Sequence, residues 1–399
     1  MDSAMSLDLD RLRADLRILN DVTYLNTGTV GIMPKPVLDK HLAAIEQFES
    51  GGHLTQAAAQ ESYQHSREAL AGLIGAPVTS VALTRNATDG VNLVAAGLRL
   101  EPTAVALTTD QEHPAVILPW SAAERRGGAH LELFAIGPDP EVTLTNFRRA
   151  LRPETKIVIV SHVSCETGQR LPVEEICRIC RERGILTMVD GAQSLAQFLI
   201  DVNKIGCDFM TGNGHKWIAG PKGTGFLYVA PDLLPQVEPI HIGDGSVSPR
   251  FDRIALGDNP AAGDWTFEPS ASRFEYGTRN WHTFSALSDS ITYLENIGWA
   301  NIEAHCAALS DELKQRLVDE PGVTLYSPRA WEDSSALVTF GFDGWNGVEL
   351  SQRLWKDDNI IQRRVQVPNG VRISCAYFNN SSDLDHLFEA LRRLRANRG

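Results

Sequence analysis

The sequence predicts an α/β fold, with a large domain built on a mostly parallel sheet flanked by helices and a smaller α+β domain at the C-terminal end. Three observations carry this prediction. Short apolar runs such as 156–161 and 184–190 alternate with helical patterns such as 144–151 and VEEICRICRERG, as expected of strand–helix units. The run 184–190 ends in Asp190, an acid at the strand edge where open α/β sheets bind ligands. From about residue 286 the rhythm changes to longer helices, over 288–297 and 302–317. At 399 residues the chain exceeds one comfortable core, which fits two domains.

Taken in order, 21–36 reads as an extended segment with glycines and two prolines, followed by helices over 37–48 and 56–73. A strand at 80–84 leads through the turn RNATDG into the helix VNLVAAGL. That arrangement cradles phosphate, because unsatisfied backbone N–H groups at a helix start point at an anion and hydroxyls add donors. Thr88, with the amides of Ala87 and Asp89, is the expected site. A strand at 105–108 precedes DQEHPAVILPW, where Pro114 suits a first helical position and His113 stands just before it. Strands at 131–135 and 156–161 enclose a helix. In the C-terminal part, strands are expected at 323–326, 336–342 and near Ile360 and Val371, with helices over 347–355 and 383–394.

The stretch CDFMTGNGHKWIAGPKGTGFLY, 207–228, reads as two buried strands joined by a polar turn that presents Lys216 at a strand edge. A lysine held there has a lowered pKa and acts as a nucleophilic amine. Between Asp190 and Lys216 there is room for one more strand, so the acid and the amine fall at neighbouring strand ends.

This pairing resembles the Asp and Lys of fold-type I pyridoxal phosphate enzymes, and more narrowly the class V aminotransferase and cysteine desulfurase superfamily. The matching motifs run from about Tyr24 to Asn380. The resemblance implies a seven-stranded sheet in the large domain, with 1–30 as an N-terminal segment packed on the small domain and active site, 31–285 as the cofactor domain and 286–399 as the small domain. It implies pyridoxal 5'-phosphate as cofactor, in Schiff-base linkage to Lys216, with Asp190 beneath the pyridine nitrogen and Gln193 beside the phenolic oxygen. It places His113 on the ring face with acid–base duty, and Ala87, Thr88 and His215 at the phosphate. Asn213 stands where desulfurases carry a serine. Asn26, in the family's Y-L-N segment, and Arg372, in GVRISCAYFNN, are the implied substrate contacts, Arg372 through a bidentate fork on the carboxylate. RFEYGT resembles the family's R-F-E-x-G-T, whose threonine binds the phosphate of the neighbouring subunit, so Thr278 implies a homodimer with shared sites.

Composition narrows the partners. A net charge of −13 argues against nucleic acid or anionic membrane. No run approaches a membrane span and the first residues lack a secretory pattern, so a cytoplasmic protein is expected. The six cysteines, Cys165, Cys177, Cys180, Cys207, Cys306 and Cys375, are scattered as in a reduced protein. Cys177 and Cys180 form a C-x-x-C on one amphipathic helix with no second ligand pair, and no metal site is expected.

The departures from the desulfurase pattern set the expected reaction. Cys165 replaces an asparagine of the desulfurase turn, whereas T-G-Q-x-L-P and G-N-G-H-K-W look closer to cystine C–S lyases and isopenicillin-N-epimerase-like members. The segment 360–370, where desulfurases carry a sulfur-accepting cysteine, has none. The expected activity is therefore a lyase that eliminates sulfur from an amino acid through a Cα carbanion without a protein persulfide. Epimerisation, transamination and a catalytically silent cofactor-binding regulator are the alternatives. The Gly-, Pro- and Asp-rich stretch 241–265 reads as a long active-site loop.

Overall fold

In the computed structural model, which describes residues 7–248 and 266–396, seven strands form the central sheet. Their spatial order is Val81–Thr84, Gly225–Val229, Phe209–Asn213, Leu186–Asp190, Thr155–Ser161, Val105–Thr109 and His130–Phe134. Gly225–Val229 runs antiparallel to both neighbours and every other pairing is parallel. Strand Val81–Thr84 therefore points the same way as the parallel set, and six carboxyl ends share one edge.

The central strands are mostly apolar because helices cover both faces, whereas the edge strand His130–Phe134 is partly exposed and carries His130 and Glu132. Alternation by two divides their side chains between two cores: Ile157, Ile159, Met188 and Phe209 belong to one, and Val158, Val160, Val189 and Met210 to the other. Helix starts are set by local caps. Asn86 Oδ1 accepts from Asp89 N at the head of Ala87–Gly97, and Asp139 Oδ1 accepts from Val142 N at the head of Pro140–Ala150.

The second sheet is antiparallel, with Val323–Leu325, Leu337–Phe342, Gly370–Ser374 and Arg363–Val365 side by side. Helices Trp299–Asp319, Gly347–Asp358 and Ser381–Ala396 accompany it. The N-terminal segment joins this unit: Thr23–Tyr24 pairs with Ile360–Ile361, Ser374 N donates to Leu25 O, and Arg13 bonds Asp383. The division expected at residue 286 falls inside one continuous helix, Trp281–Ile297, which packs on Lys35–Gly51 and Gln56–Ile74 of the large unit. Gly298, with φ of 93°, breaks the chain before Trp299–Asp319, so packing extends the large unit to Ile297. Of the expected loop 241–265, residues 249–265 lie outside the described residues. Its start forms the short strand Val247–Ser248, paired with Thr266–Phe267.

Candidate active site

A cavity of about 310 Å³ opens at the carboxyl edge of the large sheet. Its wall draws Asn86, Ala87 and Thr88 from one strand–helix turn, His113 from the next, Ser161 and Cys165 from a third, Asp190 and Gln193 from the end of a fourth strand, and Asn213, His215 and Lys216 from the connection between the antiparallel strands Phe209–Asn213 and Gly225–Val229. Gly28 and Thr29 close one side, and Arg363 reaches in from the small unit.

Lys216 is the one lysine of that wall among the described residues. It is open to the cavity yet densely surrounded, and burial pulls its ammonium down to about 8 against the attraction of Asp190. Asp190 ends its strand, accepts from Ala192 N at 2.8 Å, and is pushed upward by burial while Lys216 opposes the shift. The N-terminal segment lies directly over the lysine backbone. Gly31 N donates to His215 O at 2.7 Å, and a Cβ on Gly31 would stand 1.9 Å from Lys216 O, so this crossing admits only glycine.

His113 caps its helix by accepting from Ala115 N on Nδ1 at 3.1 Å, which leaves the ring proton on Nε2. Burial, reinforced by Lys216, Arg363 and Arg372, lowers it to about 4, so the ring is neutral. Gln193 donates to Gly28 O and accepts from Trp217 Nε1 at 3.0 Å.

The residues expected at the phosphate gather at the start of helix Ala87–Gly97, with one change of role. The Ala87 amide donates to Asn213 Oδ1 at 2.9 Å and the Asp89 amide to Asn86 Oδ1, so both are already engaged. Thr88 and His215 line the cavity beside them. The buried His215 Nδ1 has no hydrogen-bond partner among the described residues, and burial lowers the ring to about 4. An orphaned ring nitrogen beside a helix start is a fitting receptor for an anionic group. With an amine at Lys216 and an acid at Asp190, the residues present suit pyridoxal phosphate.

The two expected substrate contacts stand differently from the expectation. Asn26 is not part of the cavity wall, and its Oδ1 accepts from Thr29 Oγ1 at 2.7 Å, shaping the turn that brings Gly28 and Thr29 in. Arg372 is fully buried one layer back, donating to Cys165 O at 2.5 Å and to Thr29 Oγ1 at 3.2 Å. Burial, with Arg363 adding to it, lowers Arg372 to about 9, and its Nε has no partner among the described residues. Arg363, not singled out from sequence, supplies the guanidinium on the wall and pairs with Glu166 at 3.2 Å. Thr278 lies away from this cavity and lines a separate one with Tyr63, Glu275 and Arg279.

All six cysteines are buried and free. Burial pushes Cys165, on the cavity wall, up to about 11, and Cys177 up to about 12.

Sheet, lysine and acid together define a fold-type I pyridoxal phosphate enzyme. The class V aminotransferase model matches residues 23–387, and the chain belongs to that family. It is 33% identical to isopenicillin N epimerase from Streptomyces clavuligerus, over 96% of this chain and 98% of that protein. It is 30% identical to probable cysteine desulfurase 2 from Mycobacterium leprae, over 98% and 97%. A lysine-to-alanine variant of C-DES, with glycine covalently linked to its pyridoxal phosphate cofactor, superposes with a TM-score of 0.86 at 28% identity, covering 95% of this chain and 98% of that one. The same protein, described as a cystine C–S lyase, is also solved with its product cysteine persulfide, with a TM-score of 0.85 at 27% identity over 94% and 98%.

Proposed function

We propose that this enzyme is an amino-acid C–S lyase, removing sulfur by β-elimination and using no protein persulfide. The observation that carries the reading is the hairpin of Arg363–Val365 and Gly370–Ser374: it is closed by residues 366–369, Gln-Val-Pro-Asn, and offers no thiol to accept sulfur. Likeness to the cystine C–S lyase C-DES supports it.

Pyridoxal phosphate supplies an aldehyde that captures the substrate amine and a ring that takes up the electron pair released at Cα. Thr88 and His215 would hold its phosphate, Asp190 its ring nitrogen and Gln193 its phenolic oxygen. Lys216 Nζ, already close to neutrality, takes the Cα proton. Arg363 would hold the substrate carboxylate and orient that Cα–H bond toward the amine, with Arg372 one layer back bracing the Cys165 carbonyl and Thr29. Sulfur would leave Cβ hydrogen-bonded by the Nε2–H of neutral His113, and the Lys216 ammonium that took the Cα proton would supply a proton to the departing group. Addition of water to the remaining unsaturated fragment yields pyruvate and ammonia.

Epimerisation is the second reading, favoured by the likeness to isopenicillin N epimerase and by two further protonated groups on the wall, His113 and Cys165. A homodimer is part of the proposal, because Thr278 lies away from its own chain's cavity and would serve the partner's phosphate. L-cystine and L-cysteine should be assayed together for pyruvate, sulfide, alanine and racemised amino acid. Pyruvate in step with released sulfur is expected. Racemised product without pyruvate would select the second reading, and alanine with protein-bound sulfur would refute both.

A further inference from the structure

Beside the cavity lies a carboxylate that none of the chemistry above uses. Glu112 immediately precedes His113, and both of its oxygens are engaged at the sheet edge. Its Oε1 accepts from Thr109 Oγ1 at 2.8 Å and from Ser161 N at 2.9 Å, and its Oε2 accepts from Ser161 Oγ at 2.5 Å. Thr109 and Ser161 are the last residues of two adjacent parallel strands, so this carboxylate ties their ends together. Ser161 in turn stands opposite Asp190 in the strand register and lines the cavity.

The geometry points to Glu112 as a positioning residue that fixes the Ser161 hydroxyl as an acceptor toward the cavity and anchors the turn carrying His113. The reason is donor accounting. A serine hydroxyl has one proton, and with Glu112 ionised that proton is committed to Glu112 Oε2. Ser161 Oγ then presents only lone pairs to the cavity that it lines together with Asp190, so a bound group meets an acceptor there and not a donor. Charge-assisted bonds from three donors hold the carboxylate in this role. Burial pushes Glu112 up to about 7 against the hydrogen bonds from Ser161 and Thr109, with Asp190 adding a smaller push.

The chosen measurement is exchange of the Cα proton of L-alanine in D2O. Alanine has no leaving group, so exchange reports Cα deprotonation whether or not the lyase reading holds. Glu112→Gln keeps the shape but turns an NH2 toward a group that donates, which frees the Ser161 proton. The variant should retain its cofactor and lose about tenfold in maximal exchange rate with KM little changed. Ser161→Ala should lose a similar factor, and the double variant no more than either single one, because the two act as a unit. In the cofactor-free protein, Glu112→Gln should also move the His113 ring signals in NMR, assigned by their loss in His113→Ala. Full exchange by Glu112→Gln, multiplying losses in the double variant, or unmoved His113 signals would overturn the proposal. Should Glu112→Gln fail to fold, Thr109→Val removes a single bond of the same brace. A smaller loss at unchanged melting temperature is then expected, and an unaltered rate would overturn it.

Discussion

Arg363 and Arg372 face each other across an antiparallel pair of strands, and both donate to one carbonyl, Cys165 O, at 3.4 and 2.5 Å. Two guanidiniums directly opposed repel unless an anion joins them. Glu166 forms its ion pair with Arg363, and of the two guanidiniums Arg363 is the one that lines the cavity, so it is the one open to an added carboxylate. Arg363→Ala should raise the Michaelis constant about ten- to hundredfold with a smaller change in kcat, as expected on removing a charge-assisted bond. Arg363→Lys should not restore it, since an ammonium lacks the planar fork. Steady-state kinetics with an amino-acid substrate decide this, and an unchanged constant would remove Arg363 from the substrate site.

Lys216 gives a pH prediction whose sign follows from its environment. Its pKa falls from an ordinary 10.5 to about 8, so the nucleophilic neutral amine appears as pH rises through 8. At pH 7 roughly a tenth of the protein carries it, against a few parts in ten thousand for an ordinary lysine. Recombination of cofactor-free protein with pyridoxal phosphate should accelerate across pH 7–9 and level off above, as followed by absorbance. A rate still climbing steeply at pH 10 would mean that burial does not act on this amine.

The large sheet and most of the site could be read from the sequence because their signals are local. Asp190 ends its apolar strand, and Lys216 and Thr88 follow theirs within a few residues. What could not be read rests on pairing between distant segments. Arg363 matters only because hairpin register sets it against Arg372, and Glu112 only because two strand ends lie side by side. The engagement of the Ala87 amide by Asn213 joins residues from two different turns, and no spacing rule signals it. The sequence places the domain division at residue 286, inside helix Trp281–Ile297, because helical periodicity carries no record of which domain a helix packs on.

Gly31 tests the crossing of the N-terminal segment over the lysine. Gly31→Ala forces a methyl group into the Lys216 carbonyl, and one of the two backbones must move. A loss of about 1–3 kcal/mol of stability is expected, typical of overpacking, together with weaker cofactor retention because Lys216 moves with its backbone. Thermal unfolding and absorbance after dialysis measure both. Wild-type values in each would show that the segment does not restrain the lysine.

Thr278 bears on assembly. It shares its cavity with Arg279, whose buried Nε has no partner among the described residues, and both stand away from the chain's own lysine. Sedimentation should show a dimer, and Thr278→Ala should weaken phosphate-dependent cofactor binding while leaving the dimer intact. A monomer fully loaded with cofactor would contradict the shared site.

The cysteines supply the sharpest separation of lyase from desulfurase. A sulfur acceptor must be a thiolate within reach of the leaving group, and nucleophilic thiols have lowered pKa values. Cys375 follows the last strand of the small sheet, is fully buried, and is pushed far upward by that burial. Cys165 does reach the cavity, yet burial raises it to about 11, with the neighbouring Glu166 adding to the effect, so at pH 7 it is a thiol. Glu166 Oε1 also accepts from its Sγ at 3.4 Å, which holds the proton in place. Cys165→Ser and Cys375→Ser should each release sulfur and pyruvate from cystine at rates within a few-fold of the parent. Mass spectrometry of the intact protein during turnover should find no added sulfur. Stoichiometric persulfide lost in either variant, with alanine replacing pyruvate, would restore the desulfurase reading and identify the acceptor.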